Sequence, residues 1–460
     1  MRAILFHVGL GVLAAINRDL MMPVLIATLI YFTYRIVTGK DKQQQVLLAC
    51  AYIAGAEVFF RMSKAYLFWE TGKYAIIFYC LLGMTYLGFK RDAAPYLLYF
   101  LFLLPAIAVS YNQLTFDVDF RKSVLFNLSG PFCLSVAAVF SFGRRVTQKQ
   151  LMEILNYLVY PIIAMVVYIV LYSPDVQEAI TNTASNANFS GGYSGNQVAT
   201  VLGLGAFIIL TRFFIPYKNA LVQGVMMFFM ALMAYRALLT FSRGGVLVAV
   251  IMAIVFMGIY YLSGLVRGSI KPSFKLLTLV FAGLALWGYT HIQTRGLIEN
   301  RYTNKDALGR EKGDFTTGRT KLLEAEFDAF KESPFMGIGA GRVKVYFEEE
   351  LDIHLPTHNE VTRTLAEHGA LGILALITLI FAPIITMLQG RRNLFFWPFL
   401  IFWFLTIAHS SMRVALPAFV YALCLLNVNY ESENETALRR KSIAEPRSVA
   451  DKRRHAPSGT

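Results

Sequence analysis

Apolar runs long enough to cross a bilayer recur along most of this chain, and they leave room for little besides a bundle of membrane helices. A spanning helix needs about 20 predominantly apolar residues, with a range of roughly 17–25. Runs of this kind occupy 20–37, 46–60, 74–89, 95–111, 124–142, 151–172, 197–215, 220–241, 246–262, 274–289, 361–388, 394–408 and 414–428, with 3–16 a shorter candidate. The expected fold is therefore an all-α polytopic membrane protein with about 12–14 transmembrane helices. Only 16% of the 460 residues are charged, against about 25% in soluble chains. The run 3–16 lacks a small-residue cleavage site, so no cleavable signal peptide is expected.

A net charge of +14 invites a nucleic-acid reading until it is placed on the chain. Lys40/Lys42, Lys90/Arg91, Arg144/Arg145/Lys149, Arg212/Lys218, Arg267/Lys271 and Arg391/Arg392 fall in alternate loops, and Arg439, Arg440, Lys441, Lys452, Arg453 and Arg454 in the tail. The positive-inside rule assigns those loops and both termini to the cytoplasm. The charge is then topological, and no nucleic-acid partner is expected. Cys50, Cys80, Cys133 and Cys424 all lie within apolar runs and read as small buried hydrophobes.

The loops of opposite parity include Asp117–Phe120, Ser173–Gly195, the Ser242–Gly245 turn and a polar island. The expected divisions are 1–291, N-terminal transmembrane helices; 292–357, a large outward loop with amphipathic helices; 358–430, C-terminal transmembrane helices; and 431–460, a basic, disordered tail. Within the island, Leu322, Leu323, Phe327 and Phe330 follow helical spacing, with Glu324, Asp328 and Lys331 on the other side. Ser333-Pro334 ends that helix, and Gly337–Gly341 forms a flexible turn. Val343–Leu351 reads as a second short helix. In the 173–195 loop, Asn196 is positioned to cap the following helix.

Four groups of residues carry chemistry. Thr357-His358-Asn359-Glu360 has capping-box spacing, which puts His358 in the first turn of a helix. The positive helix end disfavours imidazolium, and a neutral imidazole suits a general base; the alternative is a polar residue that only starts a helix. Arg243 sits in Ser242-Arg243-Gly244-Gly245, where an outward arginine runs against the charge rule. Its guanidinium matches phosphate oxygens in a two-pronged fork, while the simpler alternative is a snorkelling interface arginine. Arg319 follows Thr317-Gly318, and Arg236 is an ionisable group inside an apolar run, where charge is costly. An internal salt bridge is the alternative for Arg236. Arg363 and Glu367, four apart, are expected to pair.

Glu57, Arg61, Lys64, Glu70 and Lys73 cluster near another outer loop and read as interface charge, with a secondary anionic-ligand surface as the alternative. Asp117-Val118-Asp119 mimics a nucleotide-sugar metal motif but lies on the wrong side for that substrate. Pro356 breaks the helix that would align His354 with His358, so no metal site is expected. Gly337–Gly341 matches no nucleotide-binding fingerprint.

Together these residues resemble the O-antigen ligase and polymerase superfamily of bacterial envelope proteins. The resemblance rests on Ser242-Arg243-Gly244, Thr317-Gly318-Arg319, Ser333-Pro334-Phe335-Met336-Gly337-Ile338-Gly339, and His358-Asn359 followed by Leu365-Ala366-Glu367-His368-Gly369-Ala370-Leu371-Gly372. It covers roughly 222–388; the N-terminal half is similar only in hydropathy. It implies a C-type membrane glycosyltransferase with no cofactor and no metal. The donor would be a glycan on undecaprenyl pyrophosphate, and the acceptor the lipid A-core or another glycan. The protein would lie in the bacterial inner membrane among its lipids, with a periplasmic active site. His358 would be catalytic, and Arg243, Arg319 and Arg236 would bind pyrophosphate. Ser242, Gly244, Asn359 and Glu367 would support them. Ligase-like transfer is the favoured reading; the polymerases and protein O-glycosyltransferases of the superfamily share the signature. A lipid-linked glycan flippase is the alternative from another class, and should show broken helices near the midplane. The proline breaks at Pro131, Pro161 and Pro383 have no charged neighbour.

Overall fold

The computed structural model describes residues 1–113, 119–263, 272–313, 319–352, 357–410 and 412–430. Asp117, Arg267, Lys271, Thr317-Gly318, His354, Pro356 and the tail 431–460 lie outside the described residues. The helices run α1 (Arg2–Ile16), α2 (Met21–Thr38), α3 (Lys42–Met62), α4 (Thr71–Leu87), α5 (Ala94–Leu103), α6 (Pro105–Gln113), α7 (Phe120–Ser141), α8 (Gln148–Tyr172) and α9 (Val176–Ala179). They continue with α10 (Gly195–Phe214), α11 (Ala220–Leu239), α12 (Arg243–Leu262), α13 (Pro272–Gln293) and α14 (Leu297–Tyr302). The last are α15 (Arg319–Glu332), α16 (Val343–Leu351), α17 (Glu360–Leu388), α18 (Phe396–Ser410) and α19 (Leu416–Cys424).

Ten helices among the described residues are long and apolar enough to cross a membrane, and Arg2–Ile16 and Phe396–His409 are shorter apolar helices. The protein is an all-α, multi-pass membrane protein, its sheet limited to a short parallel pairing of Arg145–Thr147 with Asn427–Asn429.

Helix α3 is the most enclosed of the spans. Its run of small residues explains why: at Gly55 a side chain would meet the ring of Pro161 at 3.1 Å, so α3 and α8 lie almost backbone to backbone. Helix α10 packs against α11 and α12, α12 against α18, α7 against α19, and α5 against α17. The four cysteines are buried and free, as expected.

Loops of like parity gather at one end. Lys90 donates to the Gly143 carbonyl at 2.7 Å, Arg144 to that of Gly88 at 2.7 Å, and Arg391 lies over the Phe142 ring. The other end collects the 173–195 loop, the Ser242 turn, α14–α16 and the start of α17. There Ser185 donates to the Thr240 carbonyl and Lys312 to Thr183.

Helix α17 is broken at Gly369, whose φ of 58° and ψ of −138° interrupt the helical run. Segment 334–341 docks into the break. Ile338 and Gly339 donate backbone N–H groups to the Ala366 and Glu367 carbonyls at 2.9 and 3.2 Å, and Ala370 N–H reaches the Pro334 carbonyl at 2.7 Å. Backbone groups freed by the break are thus satisfied within the protein. The expected flexible turn at Gly337–Gly341 is instead a held plug. The expected α15 face is also rotated. Leu322, Ala325, Glu326 and Ala329 are buried, while Phe327 is exposed, because α15 packs its small residues against α17.

Candidate functional site

His358 precedes α17 rather than entering its first turn. Asn359, not Thr357, caps the helix: its Oδ1 accepts from the Val361 amide at 2.9 Å and the Thr362 amide at 3.5 Å. The Thr357 hydroxyl donates instead to the Asn359 carbonyl. Glu360 does not reach back to an amide, because Arg363 engages it as an ion pair. Arg363 also binds Glu367 at 2.7 Å and Asn127 at 2.7 Å, so the expected Arg363–Glu367 pair is present within a buried network.

His358 is half-buried and lines a small cavity with Arg319, Leu322, Glu326, Thr357 and Asn359. Burial and the nearby Arg413, Arg319 and His409 hold its pKa down, to about 4. The expected neutral imidazole follows, but the cause is desolvation and surrounding cations rather than the helix end.

Arg319 opens α15 and faces this cavity. Burial depresses its pKa, and the Arg243 charge depresses it further. Arg301, on α14, is depressed by burial and then by both Arg243 and Arg319. Its Nε donates to the Phe241 carbonyl at 2.9 Å. Three guanidiniums are thus close enough to repel one another where α12, α14 and α15 begin or end, a repulsion that an anion would relieve. Phe241, in the turn before Arg243, sits at φ 56°, an uncommon value for a bulky residue that marks local strain.

Ser242 and Gly244 support the turn by packing. Ser242 Oγ donates to Asn196 Oδ1 at 2.8 Å, so Asn196 ties two turns together and does not cap α10, whose N-cap is Ser194. A side chain at Gly244 would meet the His409 ring at 2.5 Å. That glycine admits α18 rather than a ligand.

Arg236 lies in the last turn of α11. It is buried near Tyr235, its Nε and Nη1 have no hydrogen-bond partner, and no acidic residue pairs with it among the described residues. The internal salt bridge considered for it is not found among the described residues.

Arg301, Arg413 and His409 were not singled out from sequence. Arg413 donates to the Thr357 carbonyl, the residue before His358. It lies in a short connection between two apolar runs, the same signal that marked Arg243. Its loop is pinned from below: Arg61 donates to the Arg413 carbonyl at 3.1 Å, and the Ala415 amide to Glu57 at 2.6 Å. Glu57, Arg61, Glu70 and Lys73 are buried and joined by ion pairs of 2.5–3.7 Å. They form an internal network, not interface charge; Lys64 alone of that cluster is exposed. Asp119 of the rejected acidic motif caps α7 through the Lys122 amide at 3.1 Å.

Residues 228–377 match the O-antigen ligase family. The match supports a relationship of this region to the O-antigen ligase and polymerase superfamily. The match supports an activity of the membrane-glycosyltransferase kind, with a lipid-linked glycan and a glycan acceptor as partners in the general sense. The matched region carries Arg243, Arg301, Arg319 and His358, and stops before His409 and Arg413. No curated protein matches the chain.

Proposed function

We propose that the protein transfers a glycan from undecaprenyl pyrophosphate to an acceptor hydroxyl at the periplasmic face of the inner membrane, with the lipid A-core as acceptor. In this reading 292–357 is periplasmic and the 431–460 tail cytoplasmic. The observation that carries it is the convergence of Arg243, Arg301 and Arg319 beside the cavity lined by His358.

The chemistry follows from that arrangement. His358 takes the proton of the acceptor hydroxyl as its oxygen attacks the anomeric carbon. The bond from that carbon to the pyrophosphate oxygen breaks, and undecaprenyl pyrophosphate leaves with the electron pair. The guanidiniums hold the charge that develops there, a contribution of about 3 kcal/mol per well-placed donor in a water-poor site. A base whose conjugate acid is disfavoured by Arg319 and Arg413 gains strength when the dianionic donor offsets their field. Proton removal is thereby tied to donor occupancy.

The break at Gly369, beside Glu367 and His368, is the feature that favours a flippase. Its freed carbonyls are occupied by Ile338 and Gly339 rather than open to a substrate, which leaves transfer as the better reading. The test is purified protein in liposomes with a lipid-linked donor and candidate acceptors. Transfer to lipid A-core supports the ligase, and elongation of the donor glycan the polymerase. Transmembrane movement of donor without transfer refutes both.

A further inference from the structure

Glu326 belongs to no role considered so far. It is 1% exposed, on α15, seven residues after Arg319 and four after Leu322. All three line the cavity that holds His358, so one helix face carries them there together. Glu326 is the acidic residue of that lining. Its Oε2 accepts the Thr362 hydroxyl. Its Oε1 is buried without a hydrogen-bond partner among the described residues.

A buried carboxyl oxygen left without a donor is costly, by about 1–3 kcal/mol, and such exceptions in a folded protein call for an explanation. Here the oxygen borders a cavity that, on the proposed function, receives a sugar. Saccharide hydroxyls are the donors that a carboxylate binds well, through charge-assisted bonds roughly twice as strong as neutral ones. We propose that Glu326 contacts the substrate, its Oε1 accepting a hydrogen bond from a saccharide hydroxyl held beside His358. The inference rests on the transferase reading. The sugar belongs to either the donor or the acceptor, and the kinetics separate the two.

Burial raises the Glu326 carboxyl to about 7, with Glu360 adding to the rise and the Thr357 and Thr362 hydroxyls and Arg363 opposing it. Arg319 and His358 complete the groups around the cavity. A contact through the carboxylate therefore weakens as pH falls through about 7.

The experiment compares wild type, Glu326→Ala, Glu326→Gln and Thr362→Val in proteoliposome transfer. KM and kcat are taken for the acceptor at saturating donor, and for the donor at saturating acceptor, from pH 5.5 to 8.5. Glu326→Ala is expected to lower kcat/KM roughly 100-fold, and Glu326→Gln roughly tenfold, for whichever substrate supplies the hydroxyl. Thr362→Val removes the anchoring bond to Oε2 but leaves Oε1, and stays within about threefold of wild type. The wild-type kcat/KM falls to a lower plateau as pH drops through about 7, and the Glu326→Gln profile is flat there. Should Thr362→Val lose as much as Glu326→Ala, or Glu326→Gln keep the pH step, the carboxyl only anchors α15 and the inference is overturned. Inactive wild type overturns the transferase reading and this inference with it; active wild type with unaffected Glu326 variants overturns this inference alone.

Discussion

Replacing Gly369 by alanine tests whether the docked segment and the broken helix form one device that sets the site. Gly369 sits at φ 58°, and a Cβ there would come within 2.7 Å of Gly337 N, Phe335 C and the Pro334 carbonyl oxygen. These are backbone atoms, so no side chain can rotate away. A φ of 58° with ψ −138° is a backbone region nearly confined to glycine, and costs a residue with a Cβ about 1–3 kcal/mol. Forcing extra volume into a packed contact adds about 1–3 kcal/mol, giving roughly 2–6 kcal/mol in all. The strain is relieved by lifting 334–341 out of the break, which moves α15 and with it Arg319. A shift of about 1 Å in a catalytic group can cost roughly 100-fold in rate. Gly390→Ala is the matched control: φ is 93° and nothing lies within 4 Å, so it carries the backbone cost without the collision. Thermal unfolding in detergent and transfer in proteoliposomes are the assays. Gly369→Ala should melt several degrees below Gly390→Ala and lose most of its transfer. Equal melting and full transfer by both variants would refute the coupling.

Arg243→Lys keeps the charge but loses the fork, and should reduce kcat by roughly tenfold or more; unchanged kcat counts against two-pronged phosphate binding. With His358 held to about 4, its imidazole stays neutral as pH falls well below 6.5, and loses reactivity only near the lower value. Carbethoxylation of resting protein, taken as the difference from His358→Ala, should show that midpoint; one near 6.5 contradicts the cationic, desolvated setting. Arg413→Ala removes a charge that lowers the His358 pKa, so the same midpoint should rise. The variant should also transfer poorly, because Arg413 holds the Thr357 carbonyl.

The membrane helices were legible because twenty apolar residues in a row admit few other folds. The pairing of Arg363 with Glu367 and the neutrality of His358 were legible too, though the second for a different reason. The cap was misplaced because Thr357 and Asn359 offer competing frames, and only the Glu360–Arg363 ion pair shows which one the chain uses. The break at Gly369 left no mark, since a single glycine in an apolar run is ordinary in a membrane helix; it appears only when segment 334–341 is seen docked there. Arg301 and His409 reach the site through tertiary packing that no spacing encodes. Arg413 could have been found by the rule that found Arg243. Arg236 shows the rule's limit: burial of a charge in a span marks a constraint without saying which site it serves.

The most direct test of the account is glycan transfer by His358→Ala, measured with donor binding in the same preparation. The account predicts a folded variant that binds the undecaprenyl-pyrophosphate donor as wild type does, through Arg243, Arg301 and Arg319, and transfers nothing. Transfer at the wild-type rate would remove His358 as the base and contradict the central claim.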